Sequence, residues 1–223
     1  MRFPAKSRVI RPPVFLALIL AATLAPQRAR AQDPWEARNR DAWQRPDEVM
    51  NILGLKPGSV VADAGCGKGY FTFHLADRVG PQGKVYAVDI KKDLIADLQR
   101  EAEAKSLSQI EPVVGAPDDP HLPLGTLDAI LVVDAYHEMH DYDAMLETFY
   151  RALKPGGLLG IIDFEAELGQ GRSTYFEQHK LPAVVVREDA TRHQFGFLYN
   201  EPGFTVPQEG RKLYFLLFEK PRD

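Results

Sequence analysis

The chain has one cysteine, Cys66, so it can form no internal disulfide and must draw its stability from a packed core. It also lacks a run fit to cross a membrane. The apolar stretch from Val14 to Ala25 is shorter than the roughly 20 residues that a spanning helix needs. Acid is missing from residues 1–31, where Arg2, Lys6, Arg8 and Arg11 precede the apolar stretch and Ala29-Arg30-Ala31 follows it. A basic start, a short apolar centre and a small-residue cleavage site make up a secretory signal peptide. The expected organisation is a signal peptide over 1–31, an N-terminal arm over 32–45 and one domain over 46–223. The expected destination is therefore the periplasm or the exterior by a Sec-type route, with N-terminal membrane anchoring as the alternative. No Arg-Arg pair precedes the apolar stretch, which argues against twin-arginine export. Losing six basic residues with the leader takes the formal net charge from −4 to −10. An acidic chain without a Lys/Arg stripe excludes nucleic acid and anionic membrane surfaces as expected partners. Internal repeats and low-complexity tracts are absent too.

What is present is organised around residues 60–75. Val60-Val61-Ala62 opens a buried strand, Asp63 follows, and Gly65, Gly67 and Gly69 alternate before an amphipathic run. Strand, glycine turn and helix start together form a corner that admits a nucleotide-type ligand close to the backbone. A dinucleotide fingerprint would need a glycine where Tyr70 stands. A P-loop would need Ser or Thr where Gly69 follows Lys68. Asp63 also suits a cationic ligand group better than a pyrophosphate. The stretch Val61-Ala62-Asp63-Ala64-Gly65-Cys66-Gly67-Lys68-Gly69 resembles the first motif of the class I S-adenosylmethionine-dependent methyltransferases. The resemblance implies that Asp63, Gly65, Gly67 and Gly69 wrap the methionine part of S-adenosyl-L-methionine.

Further matches follow in family order. Lys84 to Asp89 reads as a second strand, and Asp89 closes it about 20 residues after the glycine turn, the spacing of a ribose-binding carboxylate. Capping of the next helix by Asp89 or Asp93 is the alternative. The resemblance adds Ile90, beside Asp89, to the cofactor residues. Ile110 to Gly115 reads as a third strand, placed near a sheet edge by Pro112. The resemblance implies that an acid just after it bonds the adenine amino group; Asp118 is the candidate, with Asp119 close behind. Leu127 to Val133 is a fourth strand, from whose end Asp134, Tyr136 and His137 emerge toward the ligand. Leu153-Lys154-Pro155-Gly156-Gly157 before an apolar fifth strand, Leu158 to Phe164, completes the matches. A helix around Glu188 to Leu198 and a closing, antiparallel pair of strands at Gly203–Val206 and Leu213–Glu219 are expected after it. The expected fold is α/β: a Rossmann-like, seven-stranded mixed sheet with helices on both faces, the class I methyltransferase fold.

The expected activity is methyl transfer from S-adenosyl-L-methionine to a small-molecule acceptor. Asp134 belongs to the cofactor side. His137 is the expected proton acceptor and Tyr136 shapes the pocket. No metal is expected, since His137-Glu138-Met139-His140 spaces its histidines i, i+3 rather than i, i+4, and sequence places no third ligand. Cys66 has no neighbouring base to make it a nucleophile. Two other classes stay open: a non-catalytic protein that binds S-adenosyl-L-methionine on this fold, and a NAD-type oxidoreductase, against which the absent third glycine counts.

Overall fold

The central strands are nearly continuous apolar runs, and each strand sends alternate side chains to opposite faces. In the computed structural model this alternation builds two cores, one on each side of a seven-stranded sheet. The structure describes Met1, residues 40–201, Phe204 and residues 212–222. The expected signal peptide, its cleavage site, most of the N-terminal arm, and Gly203, Thr205 and Val206 lie outside the described residues. The sheet belongs wholly to the unit Gln32–Asp223.

The strands are β1 (Val60–Ala64), β2 (Lys84–Asp89), β3 (Ile110–Val114), β4 (Leu127–Val133), β5 (Leu153–Phe164), β6 (Gly196–Asn200) and β7 (Leu213–Glu219). Their order is β3-β2-β1-β4-β5-β7-β6. The first five run parallel, and β7 is antiparallel to both β5 and β6. The helices are α1 (Pro46–Ile52), α2 (Tyr70–Val79), α3 (Lys92–Ala104), α4 (Tyr142–Ala152), α5 (Arg172–Glu177) and α6 (Ala183–Arg192). Residues 40–44 are helical as well. On one face Val49, Phe71, Leu75 and Leu98 pack with Val61, Val85, Leu131 and Phe215. On the other, Leu146, Phe149, Val186 and Ala190 pack with Ala62, Ile130, Ile161 and Tyr214. No helix among the described residues is long and apolar enough to cross a membrane.

Pro112 does sit on the edge strand β3, where its missing N–H breaks no second ladder. The C-terminal third differs from expectation. The helix runs over Ala183–Arg192, not Glu188–Leu198, and Gly196–Asn200 is the edge strand β6. The β-branched run Val184-Val185-Val186 conceals a helix start, which Pro182 permits from the N-cap position. Phe197-Leu198-Tyr199 then extends beside β7. The antiparallel pairing is as expected, with the partner strand earlier in the chain. Phe204, expected within that strand, is instead buried edge-to-face against Phe215.

The sheet reverses its direction of growth between β1 and β4. A crevice outside the carboxyl ends of the strands opens at such a switch point.

Candidate active site

The crevice is a cavity of about 350 Å³, within the roughly 300–1,000 Å³ range of small-molecule sites. Ala64, Gly65 and Gly67 wall it from β1 and its turn, Asp89, Ile90 and Lys91 from the end of β2, and Gly115, Ala116, Pro117 and Pro120 from beyond β3. Asp134, Ala135, Glu138, Met139 and His140 close it from beyond β4, with Met145 of α4.

Backbone geometry explains the glycines. Gly65 has φ 82°, and a Cβ there would lie 2.5 Å from the Ala135 Cβ. The turn after β1 and the exit from β4 thus approach closer than side chains allow. Gly67, at φ 55°, donates its N–H to Asp89 Oδ2 at 3.0 Å. Asp89 Oδ1 accepts from Lys91 N–H at 2.9 Å. Each Asp89 oxygen keeps a further lone pair for a ligand hydroxyl. The capping alternative is not what forms: α3 has Lys91 at its N-cap with no side-chain cap, and Asp93 lies inside its first turn. Ile90, 56% exposed on the cavity wall, offers an apolar surface to a flat ring.

Four expected residues stand elsewhere. Gly69 is off the cavity wall: at φ 83° it is the N-cap of α2, and a Cβ there would lie 2.7 Å from Leu98 Cδ1, so it serves the packing of α2 on α3. Asp63 is 3% exposed and off the cavity wall; its Oδ2 accepts the Thr72 hydroxyl at 2.6 Å, tying β1 to α2. Burial pushes its carboxyl up to about 6, against the pull of Thr72 and of Arg40. Asp118 is exposed and also off the wall, because the Ala116 N–H to Asp119 carbonyl bond closes a turn that presents Ala116, Pro117 and Pro120 inward. Tyr136 is fully buried in the second core, where its hydroxyl donates to Asp189 Oδ2 at 3.2 Å. It braces the loop after β4 against α6, and burial raises its hydroxyl pKa. Asp134 does reach the cavity, at a left-handed φ of 52°.

His137 lies beside the cavity, on the one-turn helix Tyr136–Glu138, with its side chain 1% exposed. Its Nδ1 is 2.9 and 3.0 Å from the two oxygens of Asp163, a carboxylate with no exposed surface at the end of β5. Asp163 Oδ2 also accepts the His137 N–H. Burial opposes the imidazolium, yet the hydrogen bond and charge of Asp163, with Asp134 and Glu138, outweigh it and raise the His137 pKa. An acceptor carboxylate at Nδ1 assigns the proton there and leaves the lone pair on Nε2. Nε2 is buried and has no hydrogen-bond partner. It faces Glu138 Oε1 at 3.8 Å, and His179 Nδ1 approaches the same oxygen at 3.6 Å.

Asp163 and Arg40 escape a reading by motif. A single acid at the end of an apolar strand was the visible signal for Asp163. Arg40 lies over the Tyr70 ring, 3.9 Å from its centroid, among Asp41, Asp63 and Asp134. Its signal was weaker: one cation in a polar segment.

Residues 61–157 match the family described as "Methyltransferase domain". Demethylmenaquinone methyltransferase of Bacillus mycoides is 34% identical over 116 residues, covering 52% of this chain and 48% of that protein. The chain thus spans about half the length of the curated relatives it matches. A SAM-dependent methyltransferase from Aquifex aeolicus superposes with TM-score 0.68 at 22% identity, over 85% of this chain and 99% of that one. Phosphoethanolamine N-methyltransferase 2 of Haemonchus contortus, solved with S-adenosyl-L-methionine, gives TM-score 0.65 at 18% identity, over 80% and 53% of the two chains. Residues 61–157 thus match a methyltransferase-domain family, and they lie within a seven-stranded sheet that has the class I methyltransferase fold.

Proposed function

We propose that the protein transfers a methyl group from S-adenosyl-L-methionine to a small-molecule acceptor. The cavity at the switch point carries this reading, because its walls divide by chemistry as that cofactor does. Asp89, with lone pairs to spare, meets the ribose hydroxyls. Ile90, Leu94 and Pro117 flank the adenine ring. Gly65 and Gly67 let the backbone close on the aminoacyl end. When bound, the cofactor supplies a methyl carbon already made electrophilic by its sulfonium. The chain must then hold the acceptor in line and exclude water.

Asp134 and Glu138 mark the wall where the acceptor enters. Next to that wall, Asp163 holds the His137 ring so that the Nε2 lone pair is the basic site on the acceptor side. Tyr136 supports this loop from behind rather than lining the pocket. A relative named demethylmenaquinone methyltransferase supports a small acceptor.

Calorimetric titration of the purified protein with S-adenosyl-L-methionine and, separately, NAD tests the reading. We expect one equivalent of the first to bind and no heat from the second. Binding of NAD in place of S-adenosyl-L-methionine would overturn it. Turnover with one member of a panel of phenols, amines and carboxylates separates an enzyme from a non-catalytic binder.

A further inference from the structure

In sequence, the histidines of His137-Glu138-Met139-His140 stand at the wrong spacing for a zinc helix and lack a third ligand. The fold supplies one from another element. His179, at φ 50° just beyond α5, turns its Nδ1 to within 3.6 Å of Glu138 Oε1, while His137 Nε2 lies 3.8 Å from that oxygen. All three ligand atoms fall within 4.8 Å of one another. We propose that His137 Nε2, Glu138 and His179 Nδ1 bind a divalent transition-metal ion of the zinc class. This rests on the methyltransferase reading only for its role, which is to hold an oxygen or nitrogen of the acceptor.

Geometry supports an ion over a chance cluster. Donors at about 2.1 Å on a tetrahedral ion lie about 3.4 Å apart, and two imidazoles so bound have ring centres about 5 Å apart. The His137 and His179 ring centroids are 5.5 Å apart. The donor set of two imidazoles and one carboxylate, with a fourth position open, matches a catalytic zinc site rather than a closed structural one. Asp163 gripping Nδ1 is the outer carboxylate that orients a ligating histidine and fixes its tautomer. A buried Nε2 without a hydrogen bond is costly unless something takes its lone pair. A proton is one taker. An ion shared with two further donors satisfies all three groups at once.

A second grouping, Asp134, His137 and Asp163, carries no such inference. Its His137 Nδ1 is already hydrogen-bonded to both Asp163 oxygens, at 2.9 and 3.0 Å, closer than the roughly 3.4 Å between two donors on a tetrahedral ion. Glu138 also lines the cofactor cavity, so the open position borders the place where the acceptor must sit. Metal-bound hydroxyls lose their protons far more readily than free ones. In this arrangement the ion, rather than Nε2 itself, activates the acceptor.

The experiment uses the full chain, free of any histidine tag and stripped with a chelator. It is titrated with zinc chloride by calorimetry and with cobalt(II) by visible absorption, without S-adenosyl-L-methionine. We expect one ion per chain and the intense bands of a four-coordinate cobalt site. His179→Ala, on an exposed turn, and Glu138→Gln should each weaken zinc at least about 10-fold. Asp163→Asn should cost about 10-fold to 100-fold, as for other second-layer ligands. Circular dichroism shows that each variant is folded. No stoichiometric binding, or affinity unchanged in both His179→Ala and Glu138→Gln, overturns the proposal and leaves Nε2 as a proton acceptor. Because metal and S-adenosyl-L-methionine are titrated separately, failure of one reading is distinguishable from failure of the other.

Discussion

A carboxylate enclosed by a protein is stable in its charged form only as far as its neighbours compensate for lost water. Asp63 has the Thr72 hydroxyl at 2.6 Å and the more distant Arg40 cation, and its pKa still rises to about 6. In the unfolded chain the same group titrates near 3.9. Below about pH 4 both states carry the proton and Asp63 contributes nothing. Between about pH 4 and 6 the unfolded state releases its proton first, so folding stability falls as pH rises. Above about pH 6 the loss is complete and amounts to about 3 kcal/mol at 1.36 kcal/mol per unit. Asp63→Asn keeps the size and can still accept from Thr72, but it does not ionise. Urea unfolding from pH 4 to 7 should show the variant gaining on the wild type steadily, from almost nothing at pH 4 to a few kcal/mol at pH 7. Parallel profiles would mean that Asp63 is not the buried acid described. At this scale the sequence was only half legible. Asp89 and Ile90 reach the cavity where the motif put them, because both follow directly from a strand end. Asp118 does not, since a local turn carries it outward. The His137–Asp163 pair was hidden because its two members leave different strands, β4 and β5.

Among the elements, the turn after β1 has the narrowest tolerance. Gly65 combines a left-handed φ of 82° with a gap to Ala135 that a methyl group would fill. Gly67 shares the left-handed φ, at 55°, but a Cβ there would meet nothing within 4 Å. Gly67→Ala should therefore carry only the backbone term, about 1–2 kcal/mol. Gly65→Ala should carry that term plus an overpacking term of about 1–3 kcal/mol. Ala135→Gly removes the opposing methyl, so the double variant Gly65→Ala/Ala135→Gly should recover the overpacking term and leave the backbone term. Equilibrium denaturation of the four proteins forms a double-mutant cycle. A coupling energy near zero would show that the two loops do not touch. The central strands were readable because parallel strands buried on both faces are nearly continuous apolar runs, as in Leu127–Val133. β6 was not, because all five of its residues are exposed and only pairing to β7 makes them a strand.

Taken whole, the molecule opens its cavity where the ends of four strands, β1 to β4, converge, so binding should be felt by the entire sheet. A ligand that binds only the folded state stabilises it by RT ln(1 + [L]/Kd), about 2.7 kcal/mol at 100 times Kd. For a chain of this size each kcal/mol raises the melting temperature by about 2–4 °C. Saturating S-adenosyl-L-methionine should therefore raise the wild-type midpoint by roughly 5–11 °C. Asp89 is the sharpest probe of this linkage. Its carboxylate would hold ribose hydroxyls by charge-assisted bonds worth about 1.5–3 kcal/mol each. Losing them in Asp89→Ala should weaken binding by roughly 10-fold to 100-fold or more, at 1.4 kcal/mol per decade. At the same ligand concentration that leaves at most about 1.4 kcal/mol of stabilisation, and a shift no larger than roughly 3–6 °C. Asp89 also accepts the Gly67 and Lys91 N–H groups, so the variant's own midpoint without ligand must fall as well. Only the ligand-induced increment tests the ribose role. Thermal scans of both proteins across a range of S-adenosyl-L-methionine concentrations give that increment directly. An Asp89→Ala increment equal to that of the wild type would assign Asp89 to the turn alone and move the ribose elsewhere on the cavity wall.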